Sequence, residues 1–135
     1  TPCMTTVLVF GTFDLLHEGH MYFLKKAKAL GDRLIAIIGR DRNVEMIKKR
    51  KPHDDEGTRL DNVSRLADKA ILGRADMDYM KTIEKIEPDI ICLGYDQDSF
   101  GLEEKVKGKG IRIVRLEAYL PEKYKSSIIR KSKFE

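Results

Sequence analysis

The sequence predicts a doubly wound α/β fold, a five-stranded parallel sheet of Rossmann-like type in the order 3-2-1-4-5 with helices on both faces. Three observations predict it. Short aliphatic or β-branched runs alternate with segments of helical apolar spacing along the whole chain. Parallel neighbours need helical crossovers, and these are right-handed. The 135 residues suit one domain, long enough for a sheet covered on both faces.

Taken in order, Thr6 to Phe10 reads as the first strand, bounded by Gly11. The helix after it carries Met21, Leu24, Ala27 and Leu30 on one face, has Lys25, Lys26 and Lys28 on the others, and stops at Gly31. Leu34 to Ile38 is the second strand. A basic stretch from Arg40 to Lys51 leads into a helix over Asp55 to Lys69, with Leu60, Val63, Leu66 and Ala67 on one side. Ala70 to Leu72 is the third strand, and Met77, Met80, Ile83 and Ile86 mark a helix that Glu87-Pro88 ends. Asp89 to Leu93 is a buried fourth strand, Ser99 to Lys107 a short helix, Ile111 to Leu116 the fifth strand and Ser126 to Lys133 a terminal helix. No repeat, low-complexity segment or linker interrupts this alternation, so residues 4–135 are expected to form a single domain. Thr1-Pro2-Cys3 precede Met4 and are set aside as an added scar or altered start.

Composition narrows the function classes. At 41% hydrophobic and 36% charged, with a formal charge of +4, the chain suits a polyanionic substrate. Nucleic acid is not an expected partner, because the basic residues are interleaved with 22 acids and not with aromatics. No apolar segment approaches the roughly 20 residues that span a bilayer, so no membrane partner is expected and the expected location is cytoplasmic. Cys3 and Cys92 supply neither a disulfide framework nor zinc ligands, and Cys92, inside Ile90-Ile91-Cys92-Leu93, reads as a small buried hydrophobe.

The chemistry concentrates in Gly11-Thr12-Phe13-Asp14-Leu15-Leu16-His17-Glu18-Gly19-His20. A strand, a glycine turn and a helix start bring backbone N–H groups and the positive end of a helix dipole to one point, where anions bind. His17 and His20 fall on one face of that helix start and can donate two ring N–H bonds to one phosphate chain, with Gly19 leaving the approach open. The same pair is compatible with a metal site, though no third His or Cys lies nearby, or with two solvated surface histidines. In the order 3-2-1-4-5 the first and fourth strands flank the ligand crevice, which makes Gly94-Tyr95-Asp96-Gln97 a second site segment by topology. The basic run Lys48-Lys49-Arg50-Lys51 and Arg59 can neutralise charge on a transferring phosphoryl group, or serve as a solvated face. Neither a P-loop nor G-x-G-x-x-G occurs, so a dinucleotide-binding oxidoreductase is the weakest alternative.

Gly11 to His20 resembles the G-T-F-D-x-x-H-x-G-H motif of the cytidylyltransferase-like nucleotidyltransferases, and the resemblance extends over nearly the whole chain from Met4. It implies transfer of a nucleotidyl group from a nucleoside triphosphate to a phosphorylated acceptor, with release of pyrophosphate and use of a divalent metal such as Mg²⁺, without dedicated protein metal ligands. By that resemblance His17 and His20 bind the triphosphate, Glu18 and Gly19 belong to the same binding stretch, Thr12 and Phe13 present backbone groups, and Asp14 orders the loop or the substrate. Glu56-Gly57-Thr58-Arg59 resembles the family's glutamate-to-arginine element, which puts Arg59 ahead of Lys48 and Lys51 as a charge-neutralising residue. Bacterial glycerol-3-phosphate cytidylyltransferases read G-D-D-W after the fourth strand and R-T-E-G-I-S-T-[ST] after the fifth. Here Gly94-Tyr95-Asp96-Gln97 and Glu122-Lys123-Tyr124-Lys125-Ser126-Ser127 stand instead, and both departures resemble the archaeal FAD synthases, which adenylate FMN using ATP. The resemblance thus implies ATP and FMN as substrates, Asp96 and Tyr124 at the nucleotide, and Ser126 and Ser127 capping the last helix toward the phosphates. A homodimer is also plausible by resemblance. The rival readings are a cytidylyltransferase using CTP and an alcohol phosphate such as glycerol 3-phosphate, and a nucleotide-binding regulator without catalysis.

Overall fold

Along the chain, β1 (Thr6–Gly11) is followed by α1 (Glu18–Lys28), β2 (Arg33–Ile38), α2 (Asp41–Lys48), α3 (Glu56–Ser64), β3 (Lys69–Leu72), α4 (Tyr79–Ile86), β4 (Ile90–Leu93), α5 (Leu102–Lys105) and β5 (Arg112–Arg115). The computed structural model describes residues 4–95 and 97–117. Its strands form one parallel sheet in the order β3-β2-β1-β4-β5, as the alternation of apolar runs predicts. β1 is central because Val7, Leu8 and Val9 are apolar on both faces and fully buried.

Strand periodicity divides the core into two layers. Val7, Val9, Leu34, Ala36, Ile90 and Cys92 meet Leu24 and Ala27 of α1 and Val63 of α3. Leu8, Phe10, Ile35, Ile37, Ile91 and Leu93 meet Ile83 of α4 and Leu102 of α5 on the opposite face. Each such aliphatic side chain contributes about 1.5–3 kcal/mol by leaving water, so two apolar layers hold the sheet rigid beneath its loops. Burial pushes the Cys92 thiol up to about 11, in keeping with an inert core residue.

Several boundaries differ from the sequence expectation. Within the basic stretch, Asp41–Lys48 is a helix, with Asn43 and Val44 buried; its polar composition hid it. Met77 stands outside α4 with φ 58°, because Asp78 caps the helix at Lys81 N–H. Met21 lies outside the apolar face of α1 and is 42% exposed. α3 stops at Ser64 rather than Lys69, and α5 is confined to Leu102–Lys105. The expected terminal helix over Ser126 to Lys133 lies outside the described residues. Among the described residues no helix is long and apolar enough to cross a membrane.

Candidate active site

The strand order reverses between β1 and β4, and a cleft of about 570 Å³ opens there, within the usual range for small-molecule sites. Its floor is laid by the carboxyl ends of the strands: Phe10 and Gly11 of β1, Gly39 beyond β2, Gly73 beyond β3, and Leu93 and Gly94 at β4.

The loop leaving β1 is tightly folded. A Cβ at Gly11 would lie 2.6 Å from the Phe13 ring, so only glycine lets that ring tuck beneath the turn. Phe13 and Leu15 are both left-handed, with φ 52° and 49°, a conformation that costs roughly 1–2 kcal/mol for a non-glycine residue. Three attachments hold it. The Phe13 ring is buried, forming a T-shaped pair with His20 at 5.6 Å and a tilted one with Phe23 at 6.3 Å. Asp14 accepts from the backbone N–H of His53 at 2.7 Å and of Asp54 at 2.8 Å. Burial alone would raise the Asp14 pKa, but those two bonds, with the charges of Arg59 and His53, hold it below the ordinary carboxylate value.

Arg59 is the third attachment. Its guanidinium donates to the Thr12 carbonyl at 2.8 Å, the Asp54 carbonyl at 3.0 Å and Asp41 Oδ1 at 2.6 Å, and the residue is 0% exposed. Sequence placed Arg59 at the phosphates; here it lies under the loop and is absent from the cleft wall. A rigid fork of donors suits this bracing of two carbonyls and a carboxylate. Lys48, at the last turn of α2, does line the cleft, whereas Lys51 is exposed and does not.

His17 and His20 cap α1 reciprocally. The Gly19 N–H donates to His17 Nδ1 at 3.1 Å, and the His17 N–H donates to His20 Nδ1 at 3.2 Å. This is the logic of a capping box with imidazoles in place of Ser and Glu. Both Nδ1 atoms are therefore acceptors, and the proton of each neutral ring is assigned to Nε2. The rings stack at 3.9 Å, which disfavours charging both. Burial pushes the His20 pKa down to about 4, helped by His17 and Lys48 and opposed by Asp14; burial also lowers His17, opposed by Glu18. Two neutral Nε2–H donors thus stand at a helix N-terminus, and both residues line the cleft.

That chemistry bears on the metal alternative. With Nδ1 accepting and Nε2 protonated, neither imidazole offers a lone pair to a metal ion. Among the described residues no group of three His, Cys, Asp or Glu could hold one.

Beyond β4, Gln97 spans the crevice by donating to the Phe10 carbonyl at 2.8 Å and accepting from the Gly94 N–H at 3.0 Å. Arg115, at the end of β5, donates to the carbonyls of Gly94 and Gln97, each at 2.7 Å. Asn43, buried beside the cleft, donates to the Arg74 carbonyl at 3.0 Å. Sequence reading did not assign roles to Asn43 or Arg115; for Arg115, its place at the carboxyl end of a strand was the available signal. A smaller hollow of about 430 Å³ shares His17, His20, Phe23 and Gly94 with the cleft and extends to Tyr95, Leu116 and Glu117 at the β5 side. Thr12, Phe13 and Asp14 line the main cleft, Gly19 lines the hollow, and Glu18 occupies the exposed first turn of α1. Asp96, Tyr124, Ser126 and Ser127 lie outside the described residues.

The arrangement is chemically suited to hold an anion and to donate hydrogen bonds to it, and its histidines hold no free base nitrogen. The chain matches the cytidylyltransferase-like family over residues 8–132. The FAD synthase of Methanosarcina barkeri is 47% identical, with 84% of each chain covered. That of Thermoplasma acidophilum is 42% identical, covering 98% of this chain and 96% of the relative. Among solved structures, a lipopolysaccharide core biosynthesis protein from Thermoplasma volcanium superimposes with a TM-score of 0.78 at 41% identity, covering 87% of this chain and all of that one. A pantoate-beta-alanine ligase from Francisella tularensis, with a TM-score of 0.60 at 14% identity over 84% of this chain and 59% of its own, shares the fold alone. The motif at the β1–α1 junction, the sheet order and the sequence match coincide, and the chain belongs to the cytidylyltransferase-like family.

Proposed function

We propose that this protein is an FMN adenylyltransferase, joining AMP from ATP to FMN to form FAD and pyrophosphate. The paired Nε2–H donors of His17 and His20 carry the transferase reading, and the curated FAD synthase relatives support the choice of ATP and FMN. An FMN phosphate oxygen forms a bond to the α-phosphorus in line with the bond that breaks, and the bridging oxygen leaves with pyrophosphate. Charge builds on the α-phosphate and on the leaving group. Two fixed donors and Lys48 all line the cleft, which supports the reading that they stabilise this charge without reorganisation.

No general base is needed. A phosphate monoester has its second pKa at about 6, so at neutral pH the attacking oxygen is already unprotonated. This matches histidines whose Nδ1 atoms are engaged by the backbone. Mg²⁺ or a similar ion would arrive with the triphosphate, held mainly by phosphate oxygens and water, and would supply further charge neutralisation.

Incubation of the protein with ATP, FMN and Mg²⁺ is expected to give FAD and pyrophosphate in equal amounts. Formation of a CDP-alcohol from CTP and glycerol 3-phosphate, without FAD, overturns the assignment in favour of a cytidylyltransferase. Nucleotide binding without any turnover overturns it in favour of a regulator.

A further inference from the structure

The cleft has two unlike ends. The histidines stand at the start of α1, on one face of the sheet, whereas the far end reaches the opposite face, where α4 and α5 pack. There the wall turns aromatic. Phe10 meets Tyr79 edge-on with centroids 5.0 Å apart, and Tyr79 stacks with Phe100 at 5.6 Å and an interplanar angle of 26°. Ile37, Met77 and Leu93 line the cleft beside them.

Phe100 is the informative member. It is 46% exposed, so burial does not account for it, and its φ of 52° is a conformation in which a bulky residue is strained. Folding alone would be served by a small polar residue at that turn. Tyr79 is the first residue of α4, and its phenol pKa is raised by burial, which keeps it a neutral ring with an intact π-face.

We propose that Tyr79 and Phe100 form the subsite for the flat ring system of the acceptor, the isoalloxazine of FMN, and so determine acceptor specificity. The inference rests on the adenylyltransferase reading above. In-line transfer sets the attacking FMN oxygen opposite the departing pyrophosphate, and the nucleoside, which stays bonded to the phosphorus on another side, leaves the acceptor's approach open. The hollow shared by the histidines on the β5 side leaves room for the nucleoside, and the main cleft leads from the histidines to the aromatic wall. A neutral, polarisable, largely planar ring gains from stacking there what a small alcohol phosphate cannot. Glycerol 3-phosphate would leave the wall in contact with water.

The test compares wild type, Phe100→Ala, Phe100→Trp and Tyr79→Leu. Truncating a side chain that is nearly half exposed spares the core, and Tyr79→Leu keeps apolar volume while removing the π-face. Phe100→Ala and Tyr79→Leu are each expected to raise KM for FMN by about ten-fold or more, the scale of one base stacked on an aromatic side chain, with KM for ATP within two-fold. Phe100→Trp is expected to restore the wild-type value. An equal or larger rise in KM for ATP places adenine at the wall and overturns the proposal, as does no change in either constant. Direct FMN titration, followed by flavin emission, gives the same comparison without turnover. Absence of FAD from the wild type therefore defeats the adenylyltransferase reading alone, while equal FMN affinity in all four proteins defeats the subsite.

Discussion

The two loops that flank the crevice are built on opposite principles. The loop from β1 to α1 contains two left-handed residues, yet it is held by a buried ring, a carboxylate accepting two backbone N–H bonds and a fully buried guanidinium. The loop after β4 is held at the surface, by its own Gln97 bridging to β1 and by the exposed Arg115 reaching its carbonyls from β5. In the proposed reaction the first loop would present its fixed donors where charge develops. The second has braces that are less buried than those of the first. Chemistry common to a family needs the first arrangement, since a donor displaced by an ångström loses most of its effect; recognition that differs between substrates is better served by the second.

Breaking the catalytic half of this contrast gives the largest expected effect. His20→Gln retains an acceptor able to reach the His17 N–H, as glutamine does in a capping box, and His17→Asn introduces a favoured N-cap residue. Each keeps the helix start but moves the phosphate donor, so kcat is expected to fall about 10²–10³-fold, as for loss of one oxyanion-type donor, with the melting temperature little changed. Steady-state kinetics beside thermal unfolding checks this. A large loss of stability with intact kcat would make the pair a structural cap and nothing more.

Stability separates the two loops next. Arg59→Leu leaves the Thr12 and Asp54 carbonyls unpaired beneath the first loop and is expected to destabilise the fold by about 3 kcal/mol, with Arg59→Lys recovering only part because it lacks the fork. Gln97→Ala removes two bonds from the second loop and is expected to cost about 2 kcal/mol. Urea unfolding of the three variants measures both. Equal losses would mean that the loops are held alike, and the contrast would fail.

The sheet was legible because β1, β2 and β4 are short, nearly continuous apolar runs bounded by turn signals, which suits buried parallel strands, and because crossover handedness leaves few orders open. The histidine pair was legible because its spacing is local. Arg59 was not: sequence shows a guanidinium at a helix start but not that Thr12, 47 residues away, turns its carbonyl toward it. α2 was hidden for another reason. Its apolar positions are few, and Asn43 and Val44 alone are buried, so tertiary packing rather than periodicity makes that helix. Phe100 and Tyr79 lie 21 residues apart in different connections, and their stacking follows from the chain crossing the sheet between them.

The smallest expected effect is the most specific to the histidine side. The folded pKa of His20 is about 4, below the ordinary 6.5, because the charged ring is desolvated and stands beside His17 and Lys48. Between those values the unfolded chain binds more protons than the folded one, so stability rises with pH across that window. It is fully present above about 6.5, declines as pH falls toward 4, and the decline amounts to about 1 kcal/mol once screening at a partly open site is allowed for. Asp14 acts in a different window: its pKa is depressed by the His53 and Asp54 N–H groups, so its contribution is present above the ordinary carboxylate value of 3.8 and is lost only as pH falls through the lower folded value. His20→Gln is therefore expected to flatten the unfolding free energy between pH 6.5 and 4 and leave the steeper loss below it. Proton NMR of His20 gives the direct reading, with the ring resonance constant from pH 8 to about 5.5 and titrating near 4. A midpoint near 6.5 would mean that Nδ1 is free to take a proton, that the reciprocal cap is not formed, and that the first loop lacks the fixed donors separating it from the second.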